Sequence, residues 1–159
     1  MSDAAHAHVF HAKLVWTGAA KGGTTNYDTY SREYRVDIPG KPSLTGSAAP
    51  VFKGDAALQN PEDWLVAALS ACHALTYLAL CARKRIEVVA YEDDAVGKME
   101  EVDKVIRFTD VLLKPVVTLR QGADLELARS LHEKAHHHCF IANSVNFPVR
   151  NDPRLLTCS

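Results

Sequence analysis

Alternation and helical spacing divide the chain into strand-like and helix-like segments. Val9 to Trp16 is apolar and strand-like, and the turn-rich stretch Gly18-Ala-Ala-Lys-Gly-Gly-Thr-Thr25 follows it. Tyr34, Val36 and Ile38 alternate with Arg35 and Asp37 until Pro39-Gly40 stops them, which predicts a second strand. Residues 41 to 55 carry Pro42, Gly46, Pro50 and Gly54 and read as a loop able to line a pocket. Asn60 is a suitable N-cap, Pro61 suits the first helical position, and Glu62 and Asp63 complement the positive helix end. Arg83, Lys84 and Arg85 complement the other end, so a first helix is expected over about 61–84. Strands are expected near 86–91, 94–101 and 104–119, with Gly97 and Glu100-Glu101-Val102-Asp103 marking bends. Asp124 then caps a second helix in which Leu127, Ala128, Leu131, Ala135 and His138 fall at helical spacing, and a last strand is expected around 144–149.

The resulting order, β-β-α-β-β-β-α-β, fits an α+β domain built on antiparallel sheet better than a parallel βαβ fold. The 159 residues suit a single domain, 1–159, and 47% hydrophobic with 23% charged residues is ordinary for a chain with a packed core. Eighteen basic against nineteen acidic side chains leave no field that would gather nucleic acid or an anionic membrane. Met-Ser-Asp-Ala-Ala-His-Ala-His at the N-terminus lacks the basic and apolar regions of a secretory signal, so a reducing cytoplasm and resting thiols are expected. Trp64 to Ala82 is uncharged and long enough for a membrane span, but Ser70, His73, Thr76 and abundant Ala favour a central core helix.

The candidate chemistry lies in the cysteines. Cys81 comes nine residues after Cys72, on the opposite helix face and roughly 13 Å along the axis. Bridged Cα atoms sit within ~7 Å, so those two cannot pair, and Cys81 reads as a small core residue. Cys158 is next to the C-terminus and has no implied partner. Cys139, from another element, is left as a well-placed partner for Cys72. Cys72 is three turns from its helix N-terminus, too far for the helix dipole alone to favour a thiolate, so a cation is needed. Cys139 follows the negative end of the second helix, which suits a thiol that reacts second.

A competing motif is His132-Glu133-Lys134-Ala135-His136, an H-E-x-x-H on a helix whose two histidines could grip zinc with Glu133 as base. A third ligand is missing: Ala142 stands six residues beyond His136, and Asp152 is the only downstream acid. A zinc-dependent hydrolase and adventitious metal binding by His136, His137 and His138 therefore remain as alternatives, as does a catalytically silent binding protein.

The segment Asn60-Pro61-Glu62-Asp63-Trp64-Leu65-Val66-Ala67-Ala68-Leu69-Ser70-Ala71-Cys72-His73 resembles the central-helix signature of the OsmC/Ohr family, the osmotically inducible and organic-hydroperoxide-resistance proteins. His138-Cys139-Phe140-Ile141-Ala142-Asn143-Ser144-Val145 resembles that family's second-cysteine segment. The resemblance implies an OsmC-like α+β fold in an intertwined homodimer, with sites at the subunit interface. It also implies a thiol-dependent peroxidase that reduces organic hydroperoxides, and hydrogen peroxide as a second substrate, without flavin, haem or metal. By the same resemblance Cys72 is the peroxidatic thiol, Cys139 the resolving thiol and Glu62 the carboxylate that orients a catalytic arginine, with small dithiols or lipoylated proteins as reductants. The family's arginine position in the glycine-rich loop is not matched, since that loop carries Lys21. Arg32 is the nearest candidate and Arg35 the second.

Overall fold

The computed structural model describes residues 7–158, which form two compact units, one up to Trp64 and the other from Leu65. In the first unit, β1 (Lys13–Val15), β2 (Tyr34–Asp37) and β3 (Leu44–Gly46) make an antiparallel sheet in the order β1-β2-β3. Short 3-10 turns occupy Thr17–Lys21 and Pro50–Phe52. The expected loop over 41–55 thus contains a strand, because Leu44, Thr45 and Gly46 pair with Val36, Arg35 and Tyr34. The first strand is confined to three residues instead of the whole of 9–16.

Helix α1 (Pro61–Arg83) starts in the first unit and continues through the second. Its N-terminus is a reciprocal cap: the Asp63 amide donates to Asn60 Oδ1 (2.9 Å) and the Asn60 amide donates to Asp63 Oδ2 (3.2 Å). Leu69, His73, Tyr77 and Cys81, one turn apart, form the buried stripe. The helix is long and apolar enough to cross a membrane, yet only 22% of its most apolar stretch is buried. A core helix closed on all sides is therefore not what this chain builds. Ala67, Ala71, Leu75 and Ala79 recur every fourth residue on the open face, and Leu75 is 69% exposed.

The second unit holds two three-stranded sheets and the helix α2 (Leu125–His138). One sheet has the order β4-β7-β9, from β4 (Val88–Asp93), β7 (Pro115–Leu119) and β9 (Arg154–Thr157). The other has the order β5-β6-β8, from β5 (Val96–Val102), β6 (Val105–Leu113) and β8 (Val149–Asn151). Neither is wholly antiparallel: β8 runs parallel to β6 and β9 parallel to β7, because the chain crosses through α2 before returning to each sheet. The expected strand over 104–119 breaks at Lys114, whose amide donates to Asp93 Oδ1 (2.7 Å) before the chain passes to the other sheet. The last expected strand, 144–149, is also displaced. Ala142–Ser144 is a 3-10 turn and the strands lie further on, at β8 and β9. Tyr77, Cys81, Val117, Leu119, Ala128, Leu131 and Ala135 form one core cluster, and Leu69, Val111, Leu113 and Val149 a second.

Replacing Asn60 by Ala removes the side-chain acceptor at the start of α1 and should lower unfolding free energy by about 1 kcal/mol, read as a reduced urea midpoint with an unchanged slope. An unaltered midpoint would show that the cap contributes nothing.

Candidate active site

Helix α2 is capped by Asp124, whose carboxylate accepts from the Leu127 amide (2.9 Å), and ends at Cys139. Cys139 is buried, and its sulfur accepts from the Ala142 amide at 3.4 Å. Asn143 fixes the following turn by donating to the carbonyls of His137 and Cys139, each at 2.9 Å. The half-buried Cys72 thiol is a near neighbour of Cys139. Burial first, and then that neighbour, push the Cys139 thiol up to about 11. The direction matches the expectation of a protonated second thiol, but desolvation dominates where the sequence had suggested the helix end. All four cysteines are free thiols, and Cys81 is buried and held above its ordinary value by desolvation.

Next to this pair is a buried aromatic stack. The His132 ring lies on Tyr77, with centroids 3.8 Å apart and planes at 14°, and parallel to His73 at 5.4 Å and 9°. His73 Nε2 and His132 Nδ1 are 3.1 Å apart, one donating and the other accepting. Tyr77 Oη donates to the Ala128 carbonyl (3.2 Å). Asp93, which accepts from Ser70 Oγ at 2.5 Å, lies near enough to His73 to oppose its deprotonation. Burial nevertheless holds His73 down to about 4. His132 is held down to about 3, by burial and then by His73 and Arg129.

That stack removes the first histidine of the H-E-x-x-H motif from any zinc grip, since His132 points inward while Glu133 is exposed. Among the described residues no group of three or more His, Cys, Asp and Glu side chains is placed to hold a metal ion. The periodicity carried the signal: His132 falls in phase with Ala128, Leu131 and Ala135, all fully buried, whereas His138, expected on that stripe, is exposed.

Arg32 and Glu62 line a cavity of about 370 Å³ in the first unit, together with Trp16, Tyr30, Tyr34 and Phe52. The Arg32 guanidinium lies 3.7 Å from the Tyr30 ring centroid and donates to the carbonyls of Tyr30 (2.6 Å) and Tyr27. Trp16 Nε1 donates to the Ser31 carbonyl (2.7 Å), which fixes the same loop. No ion pair joins Arg32 to Glu62 among the described residues; main-chain carbonyls and aromatic faces orient the guanidinium instead. Arg35 points away from this cavity into an exposed pair with Asp37 (2.9 Å), and Lys21 pairs with Glu33. Sequence reasoning singled out Arg32 and Glu62 but missed the aromatic wall, because Trp16, Tyr30 and Phe52 sit in segments without regular spacing.

Residues 54–152 match the family described as OsmC-like protein. An OsmC-like protein of unknown function from Vibrio cholerae is 31% identical, with 92% of this chain and 99% of that chain covered and a TM-score of 0.85. An organic hydroperoxide resistance protein from Elizabethkingia anophelis (17% identity, 97% and 99% covered, TM-score 0.69) shares the fold. So does the organic hydroperoxide resistance protein OhrB of Bacillus subtilis (20% identity, 92% and 98% covered, TM-score 0.59). The uncharacterized protein YmaD of Bacillus subtilis is 26% identical over 89 residues, which are 54% of this chain and 59% of that protein's length.

Neutral His73 and His132 give stability a definite pH dependence. In the unfolded chain both protonate near pH 6.5, while in the folded protein they resist protonation to about 4 and 3. Their contribution is complete above pH 6.5 and declines as the pH falls through the window down to the folded values, with a slope of up to two protons. The melting temperature should therefore drop steadily between pH 6.5 and 4, and less steeply in His132→Phe. Equal slopes in the two proteins would contradict the assignment.

Proposed function

The chain belongs to the OsmC-like protein family, and from that membership and the neighbouring thiols we propose that it is a cysteine-based peroxidase acting on organic hydroperoxides. What supports the reading is the nearness of Cys72, half-buried on α1, to Cys139, buried at the end of α2 and held protonated. The likeness in fold to two organic hydroperoxide resistance proteins supports it.

In this reading the Cys72 thiolate attacks the outer oxygen of the hydroperoxide. The O–O bond breaks, the sulfur becomes a sulfenic acid, and the departing alkoxide takes a proton and leaves as alcohol. The Cys139 sulfur then attacks the Cys72 sulfur. The S–O bond breaks, hydroxide leaves with the Cys139 proton as water, and the disulfide forms. An external dithiol restores both thiols and is itself oxidised to a disulfide. A Cys139 thiol with its pKa near 11 stays protonated until a sulfenic acid presents itself, which favours this division of labour. Arg32 is the proposed cation and donor to the peroxide, and Glu62 lines the same cavity. Small dithiols or lipoylated proteins are the proposed reductants. A second copy of the chain is the proposed cover for the open face of α1 and for Phe140, which is 81% exposed beside Cys139.

With one equivalent of cumene hydroperoxide, Cys72→Ser should form no alcohol, whereas Cys139→Ser should form one equivalent and accumulate a sulfenic acid that dimedone traps. Equal inactivity of the two variants would overturn the roles assigned here. Arg32→Ala should slow hydroperoxide consumption about a hundredfold while changing the melting temperature little. If Arg32→Ala keeps the parent rate and Arg35→Ala loses it, the cation is Arg35.

A further inference from the structure

Between α1 and α2 the contacts form a ladder with one direction. Tyr77 meets Ala128 and His132, His73 meets His132, and Cys72 neighbours Cys139. Stepping toward the N-terminus on α1, from 77 through 73 to 72, corresponds to stepping toward the C-terminus on α2, from 128 to 132, and on to Cys139 just past its end. His132 and Cys139 are two helical turns apart and so share a face, and His73 directly follows Cys72.

Other residues of the two helices in this cluster, Cys81, Leu131 and Ala135 among them, are small or apolar and set no axial register. Apolar surfaces tolerate sliding, whereas a buried imidazole pair does not, because a shift would leave two buried nitrogens without their partner. The parallel faces of His73, His132 and Tyr77 also fix the ring planes, so rotation of one helix about its axis is restrained as well. Disulfide formation has a narrow geometric tolerance, and a slip of one helical residue, about 1.5 Å, already consumes much of it.

From this ladder we infer that His73 and His132 are positioning residues whose hydrogen bond sets the register of α1 against α2 and thereby holds the Cys72 sulfur within bonding reach of Cys139. The inference rests on the thiol-couple reading above and adds to it the pair that makes the couple work. It also gives the first histidine of the H-E-x-x-H sequence a role that requires no metal.

The test oxidises the reduced full-length protein with diamide, so that no peroxide chemistry is involved. The two thiols give up two protons and two electrons to the azo bond, which becomes a hydrazine, and the S–S bond forms. Formation of the Cys72–Cys139 disulfide is followed by mass spectrometry. His132→Phe keeps a flat ring against Tyr77 but offers His73 no nitrogen, and it should slow the disulfide about tenfold or more. Iodoacetamide labelling of Cys72 in the same variant should stay at the parent rate. His132→Asn, whose amide can take the place of Nδ1, should recover most of the parent rate. Leu131→Ala, which loses packing on the same helix without touching the ladder, should oxidise like the parent. A parent-like rate in His132→Phe, or equal slowing in Leu131→Ala, overturns the positioning role while leaving the thiol couple standing. Absence of any Cys72–Cys139 disulfide in the parent protein overturns the couple itself and this role with it.

Discussion

The contact between α1 and α2 is the constraint on which the rest of the second unit depends. Tyr77, His73 and His132 stack and hydrogen-bond, and each is almost completely buried. Three large polar side chains in a core are costly unless they satisfy one another, so they permit fewer arrangements than leucines would. Helix α2 links β7 to the strands that follow, and the parallel pairings of β6 with β8 and of β7 with β9 both rely on the crossover through it. Where α2 sits on α1 therefore decides both the sheet topology and the position of Cys139.

The same desolvation that holds the histidines neutral also holds the Cys139 thiol protonated. One physical cause thus makes the helix contact specific and keeps the Cys139 thiol protonated. In the first unit a different device operates. Arg32 is permanently charged, and its orientation is set by the Tyr30 ring and by main-chain carbonyls, which leaves an aromatic cavity with one cationic wall.

Much of this was legible in the sequence. The Asn60 cap, Pro61 and the charged ends of α1 located that helix to within a residue, and Asp124 located α2, because capping is local chemistry. Cys72 and Cys139 could be singled out, since helix geometry excluded Cys81 as a partner. The sheets were less legible. The strand Leu44–Gly46 exists through pairing with β2 and has no alternation of its own. The run 104–119 looks continuous although its halves enter different sheets at the Lys114–Asp93 contact. His132 was hidden for a similar reason. Its partners, His73 and Tyr77, lie more than fifty positions away, and the metal-like spacing with His136 drew attention from its phase with Leu131 and Ala135.

The most direct measurement is a disulfide map of the reduced protein after separate treatment with stoichiometric cumene hydroperoxide and hydrogen peroxide. If Cys72 and Cys139 form a peroxide-reducing couple, cumene hydroperoxide yields a single Cys72–Cys139 linkage together with one equivalent of cumyl alcohol, and Cys81 and Cys158 remain free. A disulfide involving Cys81, or alcohol formed with Cys72 and Cys139 still reduced, would contradict it.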